Sequence, residues 1–347
     1  MIRSNEKFRR NRLLAIGWMA ALLVASAVYW WVMTNYVVRD FWDPAFEQKY
    51  DRLRACVKAN PRRPLWLVLG SSQVDIALRP EVLVGRFRGK NDPLIFNFGM
   101  TSASVFRQLV NLRRLLAAGI KPGRVGIEIM GPLMDRKTDI YADDLRLVIR
   151  ARADEVDELC RHAADPSAVR AAWRESRLNP FYEFGIQLPG QALPERLLPL
   201  PGIGLLESHP YDQWGWLKGV PESSPDKYAQ KLLSARMEFV NDFNENFVIS
   251  PLVDNDLRSI LDLCRKDGIE VFLVRMPEAP DFQVFYSPQA NAAIASYLEK
   301  IKAEYGVRVI NARSWFPDGT HFFDGHHLDA TGGAMFTRRF ADELMSQ

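Results

Sequence analysis

The chain has 347 residues, 48% hydrophobic and 25% charged, a balance that excludes a wholly disordered, collagenous or coiled-coil protein. Its length suits one large domain or two small ones. Three widely spaced cysteines (Cys56, Cys160, Cys264) exclude a disulfide framework or a zinc–thiolate cluster, and the net charge is +3.

That charge is uneven. Arg3, Lys7, Arg9, Arg10 and Arg12 against Glu6 give the first twelve residues +4, which leaves −1 for the rest. A nearly neutral remainder gives no nucleic-acid footprint. From Leu13 to Val38 there is no charged residue. Leu13 to Met33 is long enough, at about 1.5 Å per residue, to span a hydrocarbon core of roughly 30 Å. Tyr29, Trp30, Trp31 and Tyr36 suit an interfacial aromatic belt, and the basic tail places the N-terminus in the cytoplasm. The expectation is a single-pass protein of the cell (inner) membrane, with residues from about 40 onward extracytoplasmic, in the periplasm. A cleaved signal peptide ending near Ala25-Ser26-Ala27 and a buried core helix are the other readings.

Residues 34 to 63 read as a membrane-proximal helix and linker ending at Pro61-Arg62-Arg63-Pro64. The domain then runs from 64 to 347. Short apolar runs mark five strands: Leu65 to Leu69, Leu94 to Phe98, Val125 to Met130, Ile269 to Val274 and Val307 to Ile310. Between them lie helical patterns. One covers Ser102 to Ala118; Ser250-Pro251 and Ser287-Pro288 each read as an N-cap with proline at the first helical position. Strands alternating with helices predict a parallel sheet covered on both faces, a three-layer α/β/α sandwich. The stretch from about 135 to 245 breaks the alternation. It reads as an insertion, with a charged surface helix over 141 to 163 and a segment rich in Pro, Gly and aromatics over 179 to 225.

Two places carry chemistry. Gly70-Ser71-Ser72 follows the first strand, where a sharp turn presents a hydroxyl at the sheet edge that binds ligands in open α/β folds. Asp324-Gly325-His326-His327 precedes the last helix. A serine needs a base, and the base needs an orienting carboxylate; His327 and Asp324 can supply both. A metal site built from His321, Asp324, His326 and His327 is the weaker alternative, so no metal and no cofactor is expected. Trp214, Trp216 and Tyr211 could stack on sugar rings, although core or lid packing is the commoner use of such residues.

The order of these motifs resembles the SGNH (GDSL-type) hydrolase superfamily. The resemblance implies a flavodoxin-like sheet of five parallel strands. It makes Ser72 the nucleophile, Asp324 and His327 its triad partners, and the amides of Ser72 and Gly99 (from Asn97-Phe98-Gly99) the oxyanion hole. The family's third block, Gly-x-Asn-Asp, is missing: the corresponding segment is Glu128-Ile129-Met130-Gly131-Pro132. With its N-terminal span the chain looks most like the membrane-anchored members that acylate extracytoplasmic polymers, of the teichoic-acid D-alanyl transfer and alginate O-acetylation type. That implies a serine esterase or O-acyltransferase acting on acetyl or other acyl esters of an envelope or exported polysaccharide, with an integral-membrane acyltransferase as partner. A non-catalytic shell that binds such a partner is the alternative. The resemblance covers about 65 to 130 and 265 to 345.

Overall fold

Strands β1 (Leu65–Gly70), β2 (Leu94–Gly99), β3 (Arg124–Glu128), β4 (Glu270–Arg275) and β5 (Arg308–Asn311) form one parallel sheet in the order β2-β1-β3-β4-β5. They are seen in a computed structural model of the chain, which describes residues 2–32, 42–87, 89, 92–135, 145–178, 211–239 and 246–346. The chain divides into two compact units, Met1–Pro44 with Ala142–Ser208, and Ala45–Tyr141 with His209–Gln347.

The second unit holds the sheet. Both faces are covered, which is why the strands read as continuous apolar runs rather than alternating ones. Leu65, Leu67 and Leu69 face one side and Trp66 and Val68 the other, following the period of two along a strand. On the first side pack the helices Pro44–Ala59, Val105–Ala117, Pro251–Lys266 and Pro288–Tyr305. On the second lie Ser72–Ala77 and Ala330–Met345. This is the expected three-layer α/β/α sandwich. Ser104, Ser250 and Ser287 cap their helices through their side chains, and Pro251 and Pro288 open theirs. Sequence order reverses between β1 and β3, so the crevice at their C-terminal ends is the topological switch point where open sheets bind ligands.

The helix within the 34–63 segment spans Pro44–Ala59, and its Phe46 and Leu53 are buried in the core of this unit. Lys49 on the same helix is also fully buried, paired with Asp75 at 2.6 Å.

In the first unit the helix Ile2–Val32 contains a 24-residue stretch, Arg9–Val32, long and apolar enough to cross a membrane and wholly exposed. Met33 and Tyr36 lie outside the described residues. The single surface helix expected over 141–163 is replaced by two short helices, Leu145–Arg150 and Val156–His162. They are separated by a 3-10 turn, Ala153–Glu155. Leu147, Val148, Leu159 and Cys160 are buried, so these helices have apolar faces that the charge-rich sequence obscured. Much of the 179–225 segment falls outside the described residues.

Candidate active site

β1 ends at Gly70, and a side chain there would overlap Val74 and Glu128. The chain turns at once. Ser71 takes an extended conformation and caps the helix Ser72–Ala77 by accepting the Gln73 amide on Oγ at 3.2 Å. Ser71 also donates its own amide and its hydroxyl to the buried Glu128 carboxylate. The two serines therefore differ in kind. Ser71 is buried and fully engaged in holding the turn, whereas Ser72 is half-buried at the first helical position.

The other half of the site is the loop between Phe322 and Leu328, closed by a bridge between those two residues. The Asp324 carboxylate accepts the amides of His326 at 3.2 Å and His327 at 2.9 Å. Its second oxygen lies 2.7 Å from His327 Nδ1. His327 Nε2 lies 2.7 Å from Ser72 Oγ. Burial alone would raise the Asp324 carboxyl, but the charge and hydrogen bonds of His327 hold it well below the usual carboxylate range. An ionised carboxylate can only accept, so Nδ1 carries the hydrogen; when the ring is neutral, Nε2 is then the acceptor that faces the serine. Phe323 stacks on the His327 ring at 5.5 Å and an interplanar angle of 12°.

Two fastenings hold these halves together. The Gln73 side chain donates to His326 O at 2.9 Å. The helix Ala330–Met345, capped by Asp329, places Thr337 Oγ1 so that it accepts the Arg79 amide at 2.8 Å and shares its hydrogen between Gly333 O at 2.8 Å and Ala77 O at 3.2 Å. The short serine helix is thus clamped at its far end. Asn97 of β2 adds to the clamp by donating to the carbonyls of Val74 and Leu78 at 2.9 and 2.7 Å.

His326 has a different role from its neighbour. It is fully buried, stacked on Phe282 at 5.0 Å, edge-on to Phe239, with its ring 3.9 Å from that of His327. Burial, and then the charge of His327, push its pKa down to about 3 against the pull of Asp324. It is a neutral wall behind the His327 ring. The donor atoms of Asp324, His326 and His327 lie within 4.8 Å of one another, the set that could hold a cation. Both ring nitrogens of His327 are engaged with Ser72 and Asp324, so a cation there would have to displace those bonds. His321 is drawn elsewhere, 3.8 Å from Asp329 and against Phe316.

Three expected contributors are placed differently. The Gly99 amide donates to Asn97 Oδ1 at 2.9 Å, so it is engaged rather than aimed at an oxyanion. What Gly99 provides is space: a side chain would overlap the Asp75 backbone of the serine helix. Trp216 donates its indole N–H to Ile76 O at 2.8 Å and lies under the Arg79 guanidinium at 4.2 Å, which makes it a brace for the same helix. Trp214 packs against the core, its carbonyl accepting the Asn97 amide of β2, and it lines a cleft of about 30 Å³ with Leu83, Phe87 and Ile95.

Sequence reasoning missed Glu128, Asn97 and Lys49 as parts of the site's support. The signal was present: Asn97 lies inside an otherwise apolar strand, and Glu128 ends the apolar run Val125 to Ile127.

A protein-family model matches residues 228–347, a third of the chain that includes the Asp324–His327 loop. No curated protein matches. Among solved structures the chain is similar to TesA, with 14% identity, 81% of this chain and 98% of that one covered, and a TM-score of 0.39. It is also similar to a GDSL-like lipase from Bacteroides thetaiotaomicron, with 12% identity, 88% and 98% coverage and a TM-score of 0.38.

Proposed function

We propose that the protein is a serine ester hydrolase of the SGNH (GDSL) type, in which Ser72 is the nucleophile, His327 the general base and Asp324 its orienting carboxylate. The single observation that carries this reading is the unbroken chain Ser72 Oγ, His327 Nε2, His327 Nδ1, Asp324 Oδ2, with both links at 2.7 Å. Hydrogen-bond reach between nucleophile, base and orienting group is the geometric requirement for this chemistry.

In the first half-reaction Ser72 Oγ attacks the ester carbonyl carbon and its proton passes to His327 Nε2. The tetrahedral intermediate collapses, and the leaving alkoxide takes that proton from His327 to depart as an alcohol. In the second, water or a sugar hydroxyl gives its proton to His327 and attacks the acyl carbon; the bond from that carbon to Ser72 Oγ breaks, and Ser72 takes the proton back from His327. Asp324 stays ionised and stabilises the imidazolium throughout. The Ser72 amide, at the first turn of its helix, has no intrahelical acceptor and serves as the oxyanion donor. With Gly99 engaged and no asparagine in the Glu128–Pro132 segment, turnover is slow; one missing donor costs about 10² to 10³ in rate.

The helix Ile2–Val32 anchors the protein in the inner membrane and the site faces the periplasm, where acetyl or other acyl esters of an envelope or exported polysaccharide are the substrates. An integral-membrane acyltransferase is the partner that fits such an acceptor. The engaged Gly99 amide favours a second reading, a non-catalytic shell that binds the same partner. Incubation with a fluorophosphonate probe and with p-nitrophenyl acetate separates the two. Labelling of the wild type that is lost in His327→Ala supports catalysis; a wild type that is neither labelled nor hydrolytic leaves the binding shell. Resistance of the full chain to alkaline extraction from membranes, with its N-terminus intact, tests the anchor against a cleaved signal.

A further inference from the structure

Glu128 is fully buried at the C-terminal end of β3, one strand from the serine turn. Burying a carboxyl is costly unless its oxygens are well used. Among the described residues its side-chain hydrogen-bond partners are both on Ser71, the amide and the hydroxyl, the latter at 3.1 Å. The backbone of Glu128 is locked in turn by the Gln108 side chain, which donates to Glu128 O and accepts the Glu128 amide, each at 3.1 Å. Among the described residues no cation pairs with it, so there it is not an ion pair holding two elements together. It grips one residue, and that residue precedes the nucleophile.

Resting on the serine-hydrolase reading, we propose that Glu128 is a positioning residue that sets the Ser71-Ser72 turn and thereby aims Ser72 Oγ at His327. The carboxylate fixes Ser71 at two points, Ser71 caps the helix, and the helix carries Ser72 at its first position. An oxyanion-poor site depends strongly on such alignment, because a displacement of about 1 Å at the reacting atom can cost roughly 10² in rate.

The ionisation of Glu128 belongs to this device. Burial raises its pKa to about 7, against the pull of the Ser71 donors and of His327, with Glu278 adding to the rise. Ser71, from the turn after β1, bonds the carboxylate; Gln108, from the helix Val105–Ala117, bonds the Glu128 backbone; His327, from the 322–328 loop, and Glu278, from the segment after β4, act on it through charge. Only the ionised carboxylate accepts freely at both oxygens, so the grip on Ser71 loosens as the pH falls through about 7.

The test is Glu128→Gln in the full chain in detergent, with p-nitrophenyl acetate as substrate. The amide keeps the shape and one acceptor but removes the charge and the second acceptor. The expected result is a kcat about 10- to 100-fold lower with KM unchanged, and an acid limb of the kcat–pH profile with one ionisation where the wild type has two. A Glu128→Gln enzyme with wild-type kcat and pH profile overturns the proposal. So does a loss of kcat that leaves both ionisations in place, which marks a merely structural role. Melting temperatures of Glu128→Gln and Glu128→Asp identify a variant that fails to fold; if Glu128→Gln does, the pH profile of Glu128→Asp decides. A wild type that never reacts with a fluorophosphonate sinks the serine-hydrolase reading itself, an outcome distinct from these.

Discussion

His327 Nε2 and Ser72 Oγ, 255 residues apart in sequence, lie 2.7 Å apart in the fold. Neither is free to wander. Ser72 rides on a helix gripped by Asn97, Thr337 and Trp216, and His327 sits in a loop tied through Asp324 and through the Gln73 bond to His326 O. Contact between the proposed nucleophile and base is therefore built into the resting protein, without a conformational step to assemble it.

The two adjacent serines give opposite phenotypes. Ser72→Ala removes the nucleophile but no cap, so fluorophosphonate labelling disappears, hydrolysis falls to background, and the melting temperature stays within about 1–2 °C, as for an uninvolved position. Ser71→Ala removes the cap and both hydroxyl contacts, costs about 1–2 kcal/mol in urea unfolding, and leaves labelling at Ser72 detectable. Labelling lost in Ser71→Ala and kept in Ser72→Ala reverses the assignment.

Asp324→Asn keeps the shape of the loop but presents an amide to His327 Nδ1 and permits the wrong tautomer. The kcat of the esterase reaction is expected to fall by about 10⁴ or to background. Because the Asp324 carboxyl is held well below its usual range, its stabilising charge is present above about pH 4 and lost as the pH falls below it. The stability difference between wild type and Asp324→Asn, read by thermal melts, is expected to shrink toward pH 2; a constant difference refutes the ionised state.

Glu128 and His326 drive stability in opposite directions with pH. Folded Glu128 keeps its proton up to about 7 while the unfolded carboxyl releases it near 4.5, so this group favours the fold less as pH rises through that window. Folded His326 refuses a proton down to about 3 while the unfolded imidazole takes one near 6.5, so the fold loses stability as pH falls below 6.5. The contributions nearly cancel between pH 4.5 and 6.5. His326→Phe is expected to gain, and Glu128→Gln to lose, about 2–3 kcal/mol relative to wild type on going from pH 7 to 4.5. Parallel profiles for all three proteins contradict both assignments.

Lys49 and Asp75 form a buried pair at 2.6 Å beneath the serine helix. Burial pulls the Lys49 pKa down and Asp75 pushes it back. Lys49→Met leaves a buried carboxylate without its cation and is expected to cost roughly 3–5 kcal/mol in urea unfolding. Lys49→Met with Asp75→Leu is expected to cost less than the single change. A double variant worse than either single one shows that Asp75 is needed for something besides Lys49.

The local sequence determined the strands, the helix starts and the charge-free apolar segment near the N-terminus. Each depends on neighbours in the chain: unbroken apolar runs, a serine followed by proline, an apolar stretch long enough for a bilayer. It also marked the Gly70-Ser71-Ser72 turn, Asp324 and His327 at the ends of particular elements; the choice of Ser72 over Ser71 came from the resemblance of these motifs to the SGNH hydrolases. Tertiary structure decided what their neighbours do. Whether the Gly99 amide faces a substrate or the Asn97 side chain, whether Trp216 meets a sugar or Ile76 O, and why glutamate stands at the end of an apolar strand all depend on how β2, β1 and β3 lie side by side. A buried donor or acceptor takes whatever partner the packing brings within about 3 Å, and residues such as Glu128 and Ser71, 57 apart in the chain, become partners only when the sheet forms.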